Sequence, residues 1–159
     1  MKKIRTLAFL AAVSVAPSFA AEPSSDSNVA TVLQRMTQAM EAHDAVALGA
    51  CFAADYRSEQ PVHPARAFRG ADMVTKHWAG IFQDIPDLHA ETISLAIKGD
   101  TAWSEFRWSG HKRNGAAFEV RGVMVLGIAE GKIAWGRLYI EPVEQGGEDF
   151  DASAKRATR

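Results

Sequence analysis

The sequence predicts an α+β domain, with helices in the first half of the chain and an antiparallel sheet in the second. Apolar residues recur at intervals of three and four positions in segments between Val29 and Phe82. Beyond Pro86 the pattern changes to alternation, and short turns divide the chain into four strand-like runs. This segregation is typical of α+β folds, in which helices cover one face of a sheet. We therefore expect a curved antiparallel sheet wrapped around three N-terminal helices, forming a cone with an apolar pocket.

The first two helices precede residue 54. The segment 29–40 carries apolar residues on one helical face, and Ser27 or Asn28 can cap its start by accepting a hydrogen bond from a first-turn amide. Asp44 can cap a second helix in the same way. We expect that shorter helix to continue to about Ala53.

The third helix follows a short extended piece at residues 56–61. Pro64 disfavours a helical conformation at His63, so the chain should stay extended there. Gly70 and Asp72 mark the start of the helix, and Pro86 lies beyond its end. Residues on its inner face recur at helical spacing: Met73, Val74, His77, Trp78, Ile81 and Phe82.

The strand-like runs are consecutive and joined by turns rich in glycine. Gly99 separates the first two runs, residues 113–115 the next pair, and Gly131 the last. Short connections of this kind join antiparallel neighbours, so we expect a meander. The four runs are residues 88–98, 101–109, 117–128 and 133–142.

Alternation along the last three runs divides the sheet into two faces. One face is apolar, with small residues at Ser104, Gly122 and Gly136 among larger ones. Burying an unpaired charge is costly, so this face should meet the helices. The small residues leave space that the helices do not fill, which favours a pocket.

The opposite face mixes charges with aromatic residues. Glu105 and Arg107 belong to it, and we expect them to pair with charged residues on adjacent strands. The alternative is an inward Glu105 and Arg107 pair acting as catalytic acid and base. Trp103, Trp135 and Tyr139 lie on the same outer face and predict a homodimer interface with aromatic anchors.

The chain start has the features of a secretory signal peptide. Lys2, Lys3 and Arg5 make the start basic, the apolar run 7–15 is too short to span a membrane, and small residues indicate cleavage after Ala20. We therefore expect a signal peptide at 1–20, a flexible linker at 21–27, one domain at 28–144 and a disordered tail at 145–159. The mature protein would be periplasmic or secreted, without a stable membrane span.

Composition and motifs exclude several classes of function. Cleavage would remove three Lys and Arg and no Asp or Glu, leaving 15 basic and 19 acidic residues and a net charge of −4. That balance, without a basic cluster, argues against nucleic acid as a partner. The five histidines show no ligand spacing typical of a metal site, and we expect no cofactor. The single Cys51 is predicted to be a buried apolar residue, with a reactive thiol as the alternative.

Four segments resemble the SnoaL-like branch of the nuclear transport factor 2-like superfamily. They read HDAVALGACFAADYRSEQP, FRGADMVTKHWAGIF, GDTAWSEFRWSG and GKIAWGRLYIEP, and the likeness spans about residues 29–143. The resemblance implies the cone fold. It leaves the activity open, because relatives include isomerases, polyketide cyclases, epoxide hydrolases, dehydratases and members without known catalysis.

The ketosteroid isomerase branch provides a specific comparison. Its catalytic base aligns with Gln60, its oxyanion-hole tyrosine with Met36 and its protonated acid with Gly122. None of these side chains can perform the corresponding role. The resemblance therefore disfavours steroid isomerisation by that mechanism.

The remaining polar candidates leave two functions open. His63 or His77 could act as a general base, with Tyr56 or Gln60 orienting a polar group of a small apolar ligand. Alternatively, His77 is a core histidine and His63 a solvated loop residue, and the domain is a non-catalytic ligand-binding or protein-interaction module. The expected pocket-lining residues are Met36, Met40, Tyr56, Gln60, Phe68, Trp78, Phe82, Ser104, Phe106, Trp108, Gly122, Met124 and Leu138.

Overall fold

The computed structural model describes residues 25–144, 146–147, 149 and 155–156. The expected signal peptide at 1–20 lies outside the described residues, as does most of the expected tail, and both stay predictions. No helix within the described ranges is long and apolar enough to cross a membrane.

Within residues 25–144 the elements follow the predicted order, with three α-helices and six strands. The helices are α1 (Ser25–Glu41), α2 (Ala45–Ala50) and α3 (Ala71–Asp84), and a single 3-10 turn covers Pro64–Arg66. The strands are β1 (Phe52–Glu59), β2 (Phe68–Arg69), β3 (His89–Lys98), β4 (Thr101–His111), β5 (Ala117–Ala129) and β6 (Lys132–Pro142).

Two helix boundaries differ from the sequence prediction. Helix α1 begins at Ser25, so residues 25–27 of the expected linker are helical. Asp44 caps α2 as predicted, because its Oδ1 accepts from the amides of Val46 (3.0 Å) and Ala47 (2.8 Å). The expected continuation to Ala53 is wrong, since α2 ends at Ala50 and β1 begins two residues later.

Pairing with the last strand explains that early helix end. The amide of Ile133 donates to the carbonyl of Cys51 (2.9 Å), and Phe52 pairs with Ile133 in the sheet. Phe52 is also buried against Tyr56, with ring centroids 4.7 Å apart. Sheet pairing and burial therefore override the helical spacing of Leu48 and Phe52.

The six strands form one mixed sheet in the order β2-β1-β6-β5-β4-β3. Strands β3 to β6 form the predicted antiparallel meander, but β1 pairs with β6 in parallel. The α+β prediction is confirmed, and the expectation of a purely antiparallel sheet is corrected by this one pair. A parallel pair requires a long crossover, which α3 and the meander supply.

The core lies between α1 and the inner face of the sheet. Phe106, Leu126 and Ile133 are fully buried on the sheet side, and Val29 and Val32 on the helix side. Cys51 is buried near this core, with its Sγ 3.5 Å from the carbonyl oxygen of Ala47. Burial raises the pKa of the Cys51 thiol, which confirms it as a buried apolar residue.

The outer face carries the charged residues that the alternation placed there. Arg107 Nε donates to Glu119 Oε1 (3.0 Å), and Arg121 Nε donates to the same oxygen (2.9 Å). Glu105 Oε2 accepts from the Ser94 hydroxyl (3.0 Å). The neighbouring Phe106 is buried on the opposite face. Glu105 and Arg107 therefore take part in outer-face contacts, and the catalytic-pair alternative is wrong.

Candidate ligand-binding site

A pocket of about 540 Å³ opens between α3 and the inner face of the sheet, near the chain segment that joins β1 to β2. This volume lies within the range typical of small-molecule sites. Nine of its twelve lining residues are aliphatic or aromatic, and three are polar. The lining residues are Gln60, Arg66, Phe68, Met73, His77, Trp78, Ile81, Trp108, Phe118, Val120, Leu138 and Ile140.

Aromatic rings in edge-to-face and tilted contact form one wall of the pocket. Trp78 on α3 meets Trp108 on β4 edge to face, with centroids 4.9 Å apart. Trp108 also packs on Phe106 (4.3 Å), and Trp78 on Phe82 (5.4 Å). Such contacts hold large rings in fixed positions. The wall is therefore anchored in the core behind it.

The pocket lies at a different end of the inner face from the one expected. Gln60, Phe68, Trp78, Trp108 and Leu138 line it, as the sequence predicted. The other eight expected residues do not line it; two of them, Met36 and Ser104, border a smaller hollow of about 280 Å³ between α1 and strands β3 and β4. The buried ones are Met36, Met40, Tyr56, Ser104, Phe106 and Met124; Phe82 packs against the core, and Gly122 is half-buried.

Six lining residues were missed by sequence reasoning. Phe118, Val120 and Ile140 already belonged to the inner face by alternation, and Met73 and Ile81 share the α3 stripe with Trp78. The sequence pattern placed these five residues on the correct faces, but alternation along a strand does not show which end of the inner face a helix covers. Arg66 had no sequence signal.

His77 lies at the pocket and is exposed. Within the described part of the chain, its ring makes no hydrogen bond or ion pair. The alternative reading of His77 as a core histidine is therefore wrong. It is also the only imidazole among the lining residues, so any proton transfer by a histidine in this pocket depends on it.

His63 lies beside the pocket rather than in it. Its Nε2 is 2.5 Å from Glu141 Oε1 on β6. Two backbone hydrogen bonds shape the same segment: the amide of His63 donates to Gln60 O (2.9 Å), and that of Arg66 donates to His63 O (2.9 Å). His63 is therefore a half-buried loop residue whose pair with Glu141 connects the segment that carries Gln60 and Arg66 to β6.

Tyr56 belongs to the core and cannot orient a ligand in the pocket. It is buried, and burial raises its pKa to about 12. A Cβ on Gly136 would lie 2.6 Å from the Tyr56 hydroxyl oxygen, so the glycine makes room for the phenol. Of the two orienting residues suggested by the sequence, Gln60 alone lines the pocket.

The positions that align with the isomerase site do not assemble a catalytic group. Met36 is a buried residue of α1, and Gln60 lines the pocket. A Cβ on Gly122 would stand 2.0 Å from the backbone oxygen of Tyr139, so this position has no space for an acidic side chain. The lining residues include no carboxylate.

The other histidines are engaged in structural contacts. His43 Nε2 donates to Leu88 O (2.8 Å), while His89 and His111 pair with Glu41 (3.0 Å) and Asp87 (2.8 Å). In the ranges that the structure covers, no group of three His, Cys, Asp or Glu residues is placed to hold a metal ion.

Three helices against a mixed, unclosed sheet with a pocket between them define the cone fold of the nuclear transport factor 2-like superfamily. A family model described as SnoaL-like domain matches residues 33–135. The chain belongs to the SnoaL-like family, which confirms the resemblance noted from the sequence. Comparison with proteins of curated function gives no match.

Solved structures share the fold at low identity. A provisionally assigned SnoaL-like polyketide cyclase from Jannaschia sp. CCS1 is 16% identical over 76% of this chain and 90% of its own, with a TM-score of 0.64. A Catenulispora acidiphila protein with a ketosteroid isomerase-like fold, in complex with trimethylamine, is 20% identical over 68% and 83%, with a TM-score of 0.60. A Mycobacterium tuberculosis protein in complex with estradiol-17β-hemisuccinate is 18% identical over 72% and 98%, with a TM-score of 0.61.

Proposed function

We propose that this protein binds a small, mainly apolar molecule in the pocket between α3 and the sheet. The observation that carries the proposal is the pocket itself: about 540 Å³, with nine apolar residues among twelve. Transfer of an apolar molecule from water to such a lining is favourable in proportion to the area buried. The absence of a carboxylate from the lining favours binding over acid/base catalysis.

A neutral fluorescent probe tests this proposal. N-phenyl-1-naphthylamine should bind the folded protein with increased fluorescence, and Val120→Trp should abolish the increase by filling the pocket with an indole. Val46→Trp is the matched control, because Val46 is 74% exposed on α2. Ile81→Trp on α3 provides a second filling variant if Val120→Trp does not fold. Equal probe binding by wild type and both filled variants would contradict the proposal.

A second candidate is acid/base chemistry on the bound molecule, of isomerase, cyclase or hydrolase type. The observation in its favour is the position of His77, an exposed imidazole at an apolar pocket. The ring opening of 5-nitrobenzisoxazole, an apolar substrate that needs only a base, tests it. Wild type and His89→Ala should accelerate the reaction, whereas His77→Ala should not. A rate unaffected by His77→Ala would remove His77 as a base.

We also propose a homodimer formed through the outer face of the sheet. Trp103, Val123 and Tyr139 are exposed on three adjacent strands, and Val123 pairs directly with Tyr139. Arg107, Arg121 and Glu119 provide charges of both signs beside them. Trp135 contributes less than expected, because it is half-buried on the sheet surface.

The export of the protein is likewise proposed from its basic and apolar N-terminal segment. Mass spectrometry of protein recovered from the periplasm or the medium should give a chain that starts at Ala21. Recovery of the chain with residues 1–20 intact from the cytoplasm alone would contradict both export and cleavage.

A further inference from the structure

The polar groups of the pocket show which kind of ligand would satisfy them. Arg66 has hydrogen-bond donors only, and it is the one lining residue with a permanent positive charge. No lining residue is acidic, and none carries a hydroxyl group. Arg66 is exposed at the pocket, so its N–H donors are accessible to an acceptor group on a bound ligand.

Arg66 is also distinct from most arginines of the domain. The guanidinium groups of Arg107, Arg121 and Arg137 pair with carboxylates, and those of Arg35 and Arg113 donate to backbone carbonyls. Within the described ranges, the Arg66 guanidinium has no ion pair or hydrogen bond. The nearby carboxylate of Glu141, which follows the lining residue Ile140, is turned to His63 instead.

The segment that carries Arg66 is held in place by local structure. Pro64 fixes the first position of the 3-10 turn, and the Arg66 amide donates to His63 O. The contact between His63 and Glu141 ties the turn to β6, which supplies Leu138 and Ile140 to the lining. Gln60, on the other side of His63, adds an amide to the same rim. A positive charge is thus positioned at the edge of an apolar cavity.

We propose that the ligand is an amphipathic anion, with an apolar body in the cavity and a carboxylate, sulfonate or similar oxyanion held by Arg66. This inference rests on the proposed ligand-binding function and specifies its ligand class. A guanidinium binds planar or tetrahedral oxyanions through paired N–H donors, and such charged hydrogen bonds are stronger than neutral ones. Gln60 is a further lining residue with N–H donors.

Two probes with the same ring frame test the inference. 8-Anilino-1-naphthalenesulfonate carries a sulfonate, and N-phenyl-1-naphthylamine lacks it. Arg66→Ala should weaken binding of the sulfonate probe by about tenfold or more and change binding of the neutral probe by less than about twofold. Arg69→Ala is the matched control, because Arg69 is exposed on β2 and does not line the pocket. Arg69→Ala should leave both affinities unchanged.

Each other outcome has a separate meaning. Equal weakening of both probes by Arg66→Ala, or no weakening of either, overturns the anion inference while the neutral probe still supports an apolar site. The anion inference is also overturned, with the apolar site still supported, if the neutral probe binds wild type and the sulfonate probe does not. Retention of the sulfonate probe by both Val120→Trp and Ile81→Trp would place it outside this pocket and overturn the assignment. If neither probe binds wild type, the proposed function fails together with the inference.

Discussion

At the scale of single residues, Gly127 shows how one missing side chain shapes the outer face. The Trp135 indole lies across it, and a Cβ on Gly127 would be 1.9 Å from Trp135 Nε1. Arg137 extends over the same ring, with its Cζ 5.4 Å from the centroid. The glycine therefore lets the tryptophan lie flat and half-buried, which explains why Trp135 is less prominent than the sequence suggested.

We expect substitution of Gly127 to destabilise the protein, whereas substitution of a glycine that has free space around its Cα should stabilise it. Gly127→Ala should lower the melting temperature and increase solvent quenching of tryptophan fluorescence, because the indole must leave its position. Gly80→Ala should instead stabilise the protein by about 0.5–1 kcal/mol, since alanine is the better helix former. Gly80 lies within α3, and a Cβ there would meet nothing within 4 Å. Thermal and urea unfolding measure both changes. Equal melting temperatures for Gly127→Ala and wild type would show that the indole adapts without cost.

At the scale of elements, the sequence predicted most of the fold because local signals decided it. Asp44 caps α2 as its residue type indicates, and the turns at Gly99 and Gly131 separate strands at the expected places. Local signals could not predict that residues 52–59 would pair in parallel with β6, since that pairing joins segments about eighty residues apart. The early end of α2 at Ala50 is a consequence of the same distant contact.

Glu119 on β5 pairs with Arg107 of β4 and with Arg121 of its own strand, and we expect these pairs to make part of the stability of the sheet depend on pH. The Arg121 side chain, followed by Arg107, holds the pKa of Glu119 below its ordinary value of 4.5. Because the folded state favours the ionised carboxylate, this contribution is present above pH 4.5 and is lost as the pH falls through the lower folded value.

Comparison of wild type with Glu119→Gln measures this contribution. The melting temperature of wild type should fall more steeply below pH 4.5 than that of the variant, because the variant has no carboxylate to protonate. Glu130→Gln, in the exposed turn between β5 and β6, is the control and should follow the wild-type curve. If the melting temperatures of wild type and Glu119→Gln fell in parallel with pH, the ion pairs of Glu119 would make no contribution to folding stability.

At the scale of the whole molecule, the two faces of the sheet differ in character. The inner face contributes residues to the pocket, and the outer face carries charged and exposed aromatic residues. Alternation assigned side chains to the correct face, including Glu105 and Arg107, because the two-residue period of a strand is a strong constraint wherever one face is buried. The position of the pocket along the inner face could not be predicted in this way. It depends on where Met36 and Met40 of α1 fill the concavity and on a turn that brings Arg66 to the rim.

The exposed aromatic residues of the outer face indicate a homodimer, and we expect its dissociation to leave the pocket unchanged. Trp103 on β4 is 41% and Tyr139 on β6 is 43% exposed, with the 37%-exposed Val123 on β5 between them, and an exposed apolar surface of this kind is typical of a protein interface. Trp103→Glu would place a charge at the centre of this apolar surface, where burial in an interface is costly. Sedimentation equilibrium should show a dimer for wild type and a monomer for Trp103→Glu.

A control substitution distinguishes the outer face from a general loss of apolar surface. Val46→Glu removes the most exposed large apolar side chain of the described residues, on α2, and should leave the dimer intact. Monomeric Trp103→Glu should still bind N-phenyl-1-naphthylamine, because the aromatic wall of Trp78 and Trp108 is anchored in the core of a single chain. A wild-type monomer would contradict the proposed assembly, and a dimer that persists in Trp103→Glu would assign the contact to another surface. Loss of probe binding on dissociation would instead show that the second copy shapes the pocket.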